Sequence, residues 1–243
     1  MNDKAYKLLS RQEHISNGEA KRLIDDGLVF VAGKKLTIAR KELESETVFK
    51  VSRQQNARVI FENDDLFALD KPIAAESYDL EKRFGHKLIH RLDKQTSGVL
   101  LLAKNGEFLT KAIAEFKAKT VVKKYLAVVE GIVAEELRID LPIYTEKGSK
   151  ARSVVDKKRG KEALTIATPL QVENRRTLLE VQIVSGRTHQ IRVHLSHIGH
   201  PILGDESYGG KEYKRLMLHA SFVSLLGYEI RSPTPTEFAV AFR

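Results

Sequence analysis

The run from Gly98 to Ala103, GVLLLA, constrains the chain most, because six consecutive residues without a polar side chain leave no face for water. A membrane helix needs about 20 apolar residues, so a run this short reads as a strand covered on both faces. Layers must be built around it. GEFLTKAIAEFKAK follows, with Leu109, Ile113 and Phe116 at helical spacing, and supplies one cover. VIFENDDLFALDKP reads as a hairpin, Val59–Phe61 and Leu66–Leu69, turning at Asn63, Asp64 and Asp65 and stopping at Pro72. YLAVVEGIV and TLLEVQIV add strands, the second alternating Leu179, Val181 and Ile183 with Glu180 and Gln182. The pattern predicts an α+β fold, a mixed sheet with few helices.

A chain of 243 residues has room for one main core and a small satellite. SRQQNARV is a polar break, which divides the sequence into a unit at 1–55 and a larger one at 57–243. In the first, GEAKRLIDDG puts Ala20, Leu23 and Ile24 on one helix face. LVFVAGKKLTI then gives two short strands about Ala32 and Gly33, and TVFKV a third.

The net charge of +9 would attract a polyanion. Its distribution is more telling than its size. From Lys147 to Lys161 seven basic residues meet one acid, Asp156, and the Gly and Ser among them predict a mobile loop whose Lys150, Arg152, Lys157, Lys158 and Arg159 contact phosphates. With no cysteine the chain has no disulfide, thiolate nucleophile or cysteine-held zinc. Neither Gly-x-Gly-x-x-Gly after a strand nor a Walker loop is present, so nucleotide cofactors are not expected. No signal-type or membrane-spanning segment stands out, and a cytoplasmic, monomeric protein is expected.

HRLDKQTSG sets one carboxylate, Asp93, among His90, Arg91 and Lys94, just before the buried strand. A carboxylate in so cationic a setting suits a nucleophile or an electrostatic partner better than a proton donor; a plain turn is the alternative. VSGRTHQIRVHLSHIGHP reads as a turn and then a helix, with Thr188 as N-cap and Gly199 as terminator. Arg187 at its start could bind phosphate or hold Asp93. Ile191, Leu195 and Ile198 form the apolar face, with His189, Arg192 and Ser196 toward the other side. His189, His194, His197 and His200 invite a metal reading, but His-Glu-x-x-His is absent and no metal is expected. Tyr125 opens a strand beside Lys123 and Lys124 and reads as a structural ring with a wet hydroxyl.

HRLDKQTSG, KKYLAVVEG and SGRTHQIRVHL, in this order, resemble the three signature blocks of the RluA-type pseudouridine synthases, and VIFENDDLFALDKP and HPILGDESYG resemble the flanking blocks. The resemblance covers about residues 57–243. It implies a central bent mixed, mainly antiparallel sheet flanked by helices and loops. It also implies isomerisation of uridine in structured RNA, foremost large-subunit ribosomal RNA, without a cofactor. By similarity Asp93 is the catalytic aspartate, Tyr125 stacks on the base, Arg187 pairs with Asp93, and Arg91 fills the place of the flipped uridine. His90, Thr96, Ile191 and Arg192 belong with the RNA-binding wall. KPIAAESYD departs from the usual KP-x-G-x-x-x-H continuation. The order helix then G-L-V-x-V-x-G-K in the first unit resembles the alpha-L RNA-binding fold of the ribosomal-protein S-four type, and gives Lys21, Arg22, Lys34 and Lys35 as RNA contacts. A transfer-RNA target, a silent ribosomal-RNA-binding protein and a hydrolase with Asp93 as base stay open at this stage.

Overall fold

The computed structural model describes residues 2–52, 56–146 and 152–242. The chain divides into two compact units, Met1–Gln55 and Asn56–Arg243.

In the first unit strand β1 (Asn2–Lys4) runs into helix α1 (Ala5–Glu13), which packs beside α2 (Asn17–Asp25). Ser16 caps α2, its hydroxyl accepting the Glu19 N–H at 3.1 Å, the Ser-x-x-Glu spacing of a capping box. Strand β2 (Val29–Val31) pairs with β3 (Lys34–Lys35) and β5 (Phe49–Val51), while β1 pairs with β4 (Glu42–Glu44). Leu8, Leu9, Ala20, Ile24, Val29 and Phe49 close the core. Helix α1 adds to the expected pattern. Its Ala5, Leu8 and Leu9 do lie at helical spacing, but the stripe spans little more than one turn.

The second unit contains a ten-stranded sheet. Numbered along the chain, its strands are β6 (Arg58–Glu62), β7 (Leu66–Lys71), β8 (Lys87–Leu88), β9 (Ser97–Ala103), β10 (Val122–Glu130), β11 (Leu137–Asp140), β14 (Leu164–Glu173), β15 (Arg176–Ile183), β16 (Leu218–Leu225) and β17 (Tyr228–Arg231). The path runs β11-β14-β15-β10-β16-β9-β7-β6, with β17 beside β16 and β8 beside β9. Among the described residues β9 and β16 pair in parallel and the other pairings of this sheet are antiparallel. Helices α3 (Ser77–Phe84), α4 (Gly106–Ala118), α5 (Gln190–His197) and α6 (Thr236–Val240), and a 3₁₀ turn at Glu206–Tyr208, complete the unit. Among the described residues no helix is long and apolar enough to cross a membrane.

Strand β9 is buried at all seven positions. Its side chains alternate between two cores, as strand geometry requires. Val99 and Leu101 pack with Leu66, Ala68, Phe108 and Ala112 on the α4 side. Leu100 and Leu102 pack with Phe67, Leu69, Leu80 and Leu92 on the other. A third core, around Ala127, Leu179, Val181, Leu195 and Phe238, backs β10 and β15. Burying a Leu or Val stabilises by roughly 1.5–3 kcal/mol, so this strand anchors the unit.

Within the basic segment, Arg152–Val155 form a strand where a mobile loop was expected, while 147–151 lie outside the described residues. Strand β12 (Ile143–Glu146) pairs with β13 (Arg152–Val155), Tyr144 opposite Val154 and Glu146 opposite Arg152, as a separate two-stranded ribbon. Alternating Ser153 and Val155 with neighbours across the ribbon outweighs the Gly and Ser signals; Lys150 lies outside the described residues.

Parallel pairing of β9 and β16 depends on Gly98, which has φ 111° and whose Cβ, if present, would stand 2.1 Å from Ala220 O. Replacing Gly98 by Ala should therefore lower stability by about 3 kcal/mol or more, since both backbone and neighbour must shift. Gly85→Ala, at φ 73° with open space around it, should cost only about 1 kcal/mol. Urea unfolding midpoints of the two variants check the ranking, and equal costs would count against the close approach.

Candidate active site

The loop from β8 to β9 carries Asp93, and three sets of contacts fix it. Ser77, at the start of α3, accepts the Leu92 N–H at 3.1 Å and donates its hydroxyl to Leu92 O at 3.0 Å. Asp93 O accepts the Thr96 N–H at 3.0 Å, closing a turn. The third anchor is Lys71 at the end of β7, fully buried, whose Nζ donates to Pro72 O at 3.0 Å, Ala75 O at 2.8 Å and Lys94 O at 3.1 Å. Burial pushes its pKa down to about 7, against the pull of Glu76 and then of Asp93. The carbonyls curve around the ammonium because Ala74 adopts φ 62°. Ala74 stands where the usual KP-x-G pattern has glycine, so the residue changes while the left-handed backbone stays, at about 1–2 kcal/mol.

Facing this loop, β15 ends in the turn 184–189 that leads into α5. Gln190 shapes the turn: its Oε1 accepts the Ser185 hydroxyl at 2.7 Å and the Arg187 N–H at 3.1 Å, and its Nε2 donates to Leu164 O at 2.9 Å. His189, not Thr188, caps α5, in a left-handed conformation with φ 56°. Between loop and turn lies a small cleft open to solvent. Arg91, Asp93, Thr96, Tyr125, Arg187, Ile191 and Arg192 all line it, with Ile183 and Leu218 at its floor.

The sequence-predicted residues fall into distinct roles there. Asp93 keeps about 29% of its side chain exposed, and its ion-pair neighbour among the described residues is His189 Nε2 at 3.8 Å. Arg187 lines the same cleft but does not pair with Asp93; its Nε donates to Glu162 O at 3.1 Å. Tyr125 projects from β10 beside a register shift at Lys124/Tyr125, and burial, with the Asp93 charge second, raises its pKa. The phenol therefore stays neutral at physiological pH. Arg192, expected opposite the apolar face and in the RNA-binding wall, lines the cleft but is buried: Nε and the Nη2 group each reach Asp205 at 2.7 Å. A guanidinium held by two charge-assisted bonds is a wall of the cleft and not a mobile phosphate ligand.

His90 is not in the cleft. Its Nε2 accepts the Leu101 N–H at 3.2 Å, its ring stacks on Phe116, and burial lowers its pKa to about 4, so it packs as a neutral ring. His194 is likewise internal, bonded to Thr165 and Leu141 O at 2.9 Å each. Arg152, Lys157, Lys158 and Arg159 are exposed on or near the β12–β13 ribbon, Arg159 reaching Asp156 at 2.7 Å and lying over the Tyr144 ring. In the first unit Arg22 and Lys34 are exposed, Lys35 is half-buried, and Lys21 Nζ lies 4.3 Å from the Tyr6 ring centre. Lys71, Ser77 and Gln190 are the residues that sequence reasoning missed. Lys71 had a signal, a lysine ending an apolar strand before Pro72; Ser77 and Gln190 had none beyond polarity.

The aspartate loop and the Gly-Arg-Thr-His-Gln turn thus face each other across one cleft. Residues 29–197 match the family model described as RNA pseudouridylate synthase. The chain belongs to this family, in its RluA branch, and is an RNA pseudouridine synthase. An uncharacterized RNA pseudouridine synthase of Helicobacter pylori strain J99 is 54% identical over 242 residues, 98% of this chain and 100% of the relative. Ribosomal large subunit pseudouridine synthase D of Pseudomonas aeruginosa is 36% identical over 174 residues, 62% of this chain and 54% of that one. The solved human RNA Pseudouridylate Synthase Domain Containing 1 superposes with a TM-score of 0.64 at 27% identity, covering 74% of this chain and 84% of its own.

Because Lys71 has a pKa of 10.5 when free and about 7 when folded, the unfolded chain binds the extra proton between those values. Stability from this group therefore rises with pH across that window. The stability of the wild type relative to Lys71→Met should climb by roughly 3 kcal/mol from pH of about 7 to about 9.5. Urea unfolding at several pH values measures it, and a flat difference would mean the ammonium is not desolvated.

Proposed function

We propose that this enzyme isomerises uridine in large-subunit ribosomal RNA and that Asp93 is its catalytic residue. The observation that carries the reading is the placement of the Asp93 carboxylate, partly exposed, in one cleft with Tyr125 and Arg187. The relatives named as large-subunit ribosomal enzymes support the choice of RNA.

The reaction breaks the bond from uracil N1 to ribose C1′ and joins C5 to the same carbon, with a proton leaving C5 and one arriving at N1. A carboxylate at position 93 serves either by attacking C1′ or by removing the C2′ proton to give a glycal; both need it within reach of the sugar. The uridine must first leave its stack, at a cost of a few kcal/mol, which Arg91 at the cleft mouth offsets by filling the gap. Tyr125 offers a neutral ring to the base and a hydroxyl near the proton lost from C5. Arg187 reaches toward the phosphate or sugar of the flipped nucleotide once it leaves Glu162 O. Ile183, Ile191 and Leu218 keep water from the detached base, which would otherwise be lost by hydrolysis. The first unit and the β12–β13 ribbon serve as RNA grips, through Lys21, Arg22, Lys34 and Lys35 in one and Arg152, Lys157, Lys158 and Arg159 in the other.

Asp93→Asn should abolish pseudouridine formation while leaving RNA affinity within a few-fold. Carbodiimide-dependent reverse-transcription stops, mapped in cells with and without the gene, should lose one or a few large-subunit ribosomal positions. Loss at transfer-RNA positions alone would overturn the substrate, and an active Asn variant would overturn the mechanism. Replacing Lys34 and Lys157 by Ala should weaken RNA binding and flatten the salt dependence of the affinity by up to about two charges. An unchanged slope would remove both from the interface.

A further inference from the structure

The ring of His189 occupies a position that the chemistry above leaves unused. It caps α5 with φ 56° and ψ 21°, a backbone conformation that costs a non-glycine residue about 1–2 kcal/mol. Strain of this kind persists where surrounding contacts dictate it. Here the contacts are polar and ordered. His189 Nδ1 lies 2.8 Å from the Tyr208 hydroxyl, and Nε2 lies 3.8 Å from Asp93 Oδ2.

The proton positions follow from Tyr208. Its hydroxyl oxygen accepts the Ser153 N–H at 3.1 Å, and among the described residues the imidazole is the remaining partner for its single hydrogen. Nδ1 is thus the acceptor that the protein offers the phenol hydrogen, and with that bond made a neutral ring carries its own proton on Nε2, facing Asp93. Burial favours that neutral ring: it lowers the histidine pKa, opposed by Asp93 and Asp205 and reinforced by Arg192 and Arg91. Tyr208 in turn is immobilised. Its ring lies 4.8 Å from the Arg192 guanidinium, its carbonyl accepts the Ser196 hydroxyl at 2.7 Å, and Arg192 is locked to Asp205.

We propose that His189 is a positioning residue for Asp93, held by Tyr208 as the Nε2–H tautomer so that the ring N–H orients the reactive carboxylate. This rests on the reading of Asp93 as the catalytic residue. At 3.8 Å the contact is longer than a hydrogen bond, so orienting the carboxylate requires it to turn toward the ring. The bidentate Arg192–Asp205 pair and the Ser153 N–H thus act on the chemistry at one remove, through the tyrosine and the imidazole.

The test combines kinetics with spectroscopy on the full chain and its RNA. His189→Leu should lower kcat roughly 10- to 100-fold with KM within about two-fold, the size expected when a reacting group loses its alignment. His189→Gln, which can place an amide N–H near the Nε2 position, should recover most of that loss. In ¹⁵N-imidazole spectra of the wild type, His189 should show an unprotonated Nδ1 and a protonated Nε2, and Tyr208→Phe should mix the tautomers. A wild-type kcat in His189→Leu, a Gln variant as poor as Leu, or a protonated Nδ1 in the wild type would each overturn the proposal. Asp93→Asn runs in parallel: if it stays active, the reading of Asp93 fails; if it is dead while His189→Leu is normal, only the role of His189 fails. The spectrum needs no variant to fold.

Discussion

The Asp93 loop takes its shape from one ammonium group buried where β7 ends. Lys71 Nζ gathers carbonyls from Pro72, Ala75 and Lys94, so one cation ties the exit of a core strand to the residue after the aspartate. Burial costs the charged form enough to bring its pKa down to about 7, and the three carbonyls are what hold a proton there at neutral pH. The balance holds only if all three acceptors stay in place. That condition makes the loop stiff: a carbonyl that drifts leaves a charge without water or partner. Gly98 adds a second constraint directly downstream, because β9 reaches β16 only without a side chain there. The aspartate thus sits between two points that cannot give.

The cleft divides its arginines by what they already hold. Arg192 is spent on Asp205 and lends rigidity, whereas Arg187 is held by one carbonyl and Arg91 is exposed at the mouth. A guanidinium with two ionic bonds does not exchange partners for a nucleotide cheaply; one with a single neutral bond does. Static structure and mobile reach are therefore assigned to different arginines within a few residues of chain.

Much of this was readable from residue patterns, and the failures have physical causes. The run 98–103, the helix after it and the alternation in β15 follow from hydrophobic period alone, which fixes where a side chain must go. The grouping of Asp93, Tyr125 and Arg187 came through motif resemblance, since nothing local says that segments so far apart in sequence meet. Period also misled. Helix α5 is packed against neighbours on nearly all sides, so the face opposite its apolar stripe, read as polar, is also covered, at Arg192 by the turn carrying Asp205. His90 sits in a catalytic-looking block yet packs on Phe116, because a neutral imidazole is a good core residue when a main-chain N–H needs an acceptor. The ribbon β12–β13 was hidden by its basic composition, which reports on solvation and not on backbone pairing.

Ser153 contributes to Tyr208 through its main-chain N–H, not its side chain. Another residue small enough for this buried position would supply the same donor, whereas proline would remove it, and the Ser153 hydroxyl has a partner of its own in Thr145 at 2.9 Å. The main chain here serves the tyrosine while the side chain serves the ribbon, so one residue answers to two neighbours by separate groups.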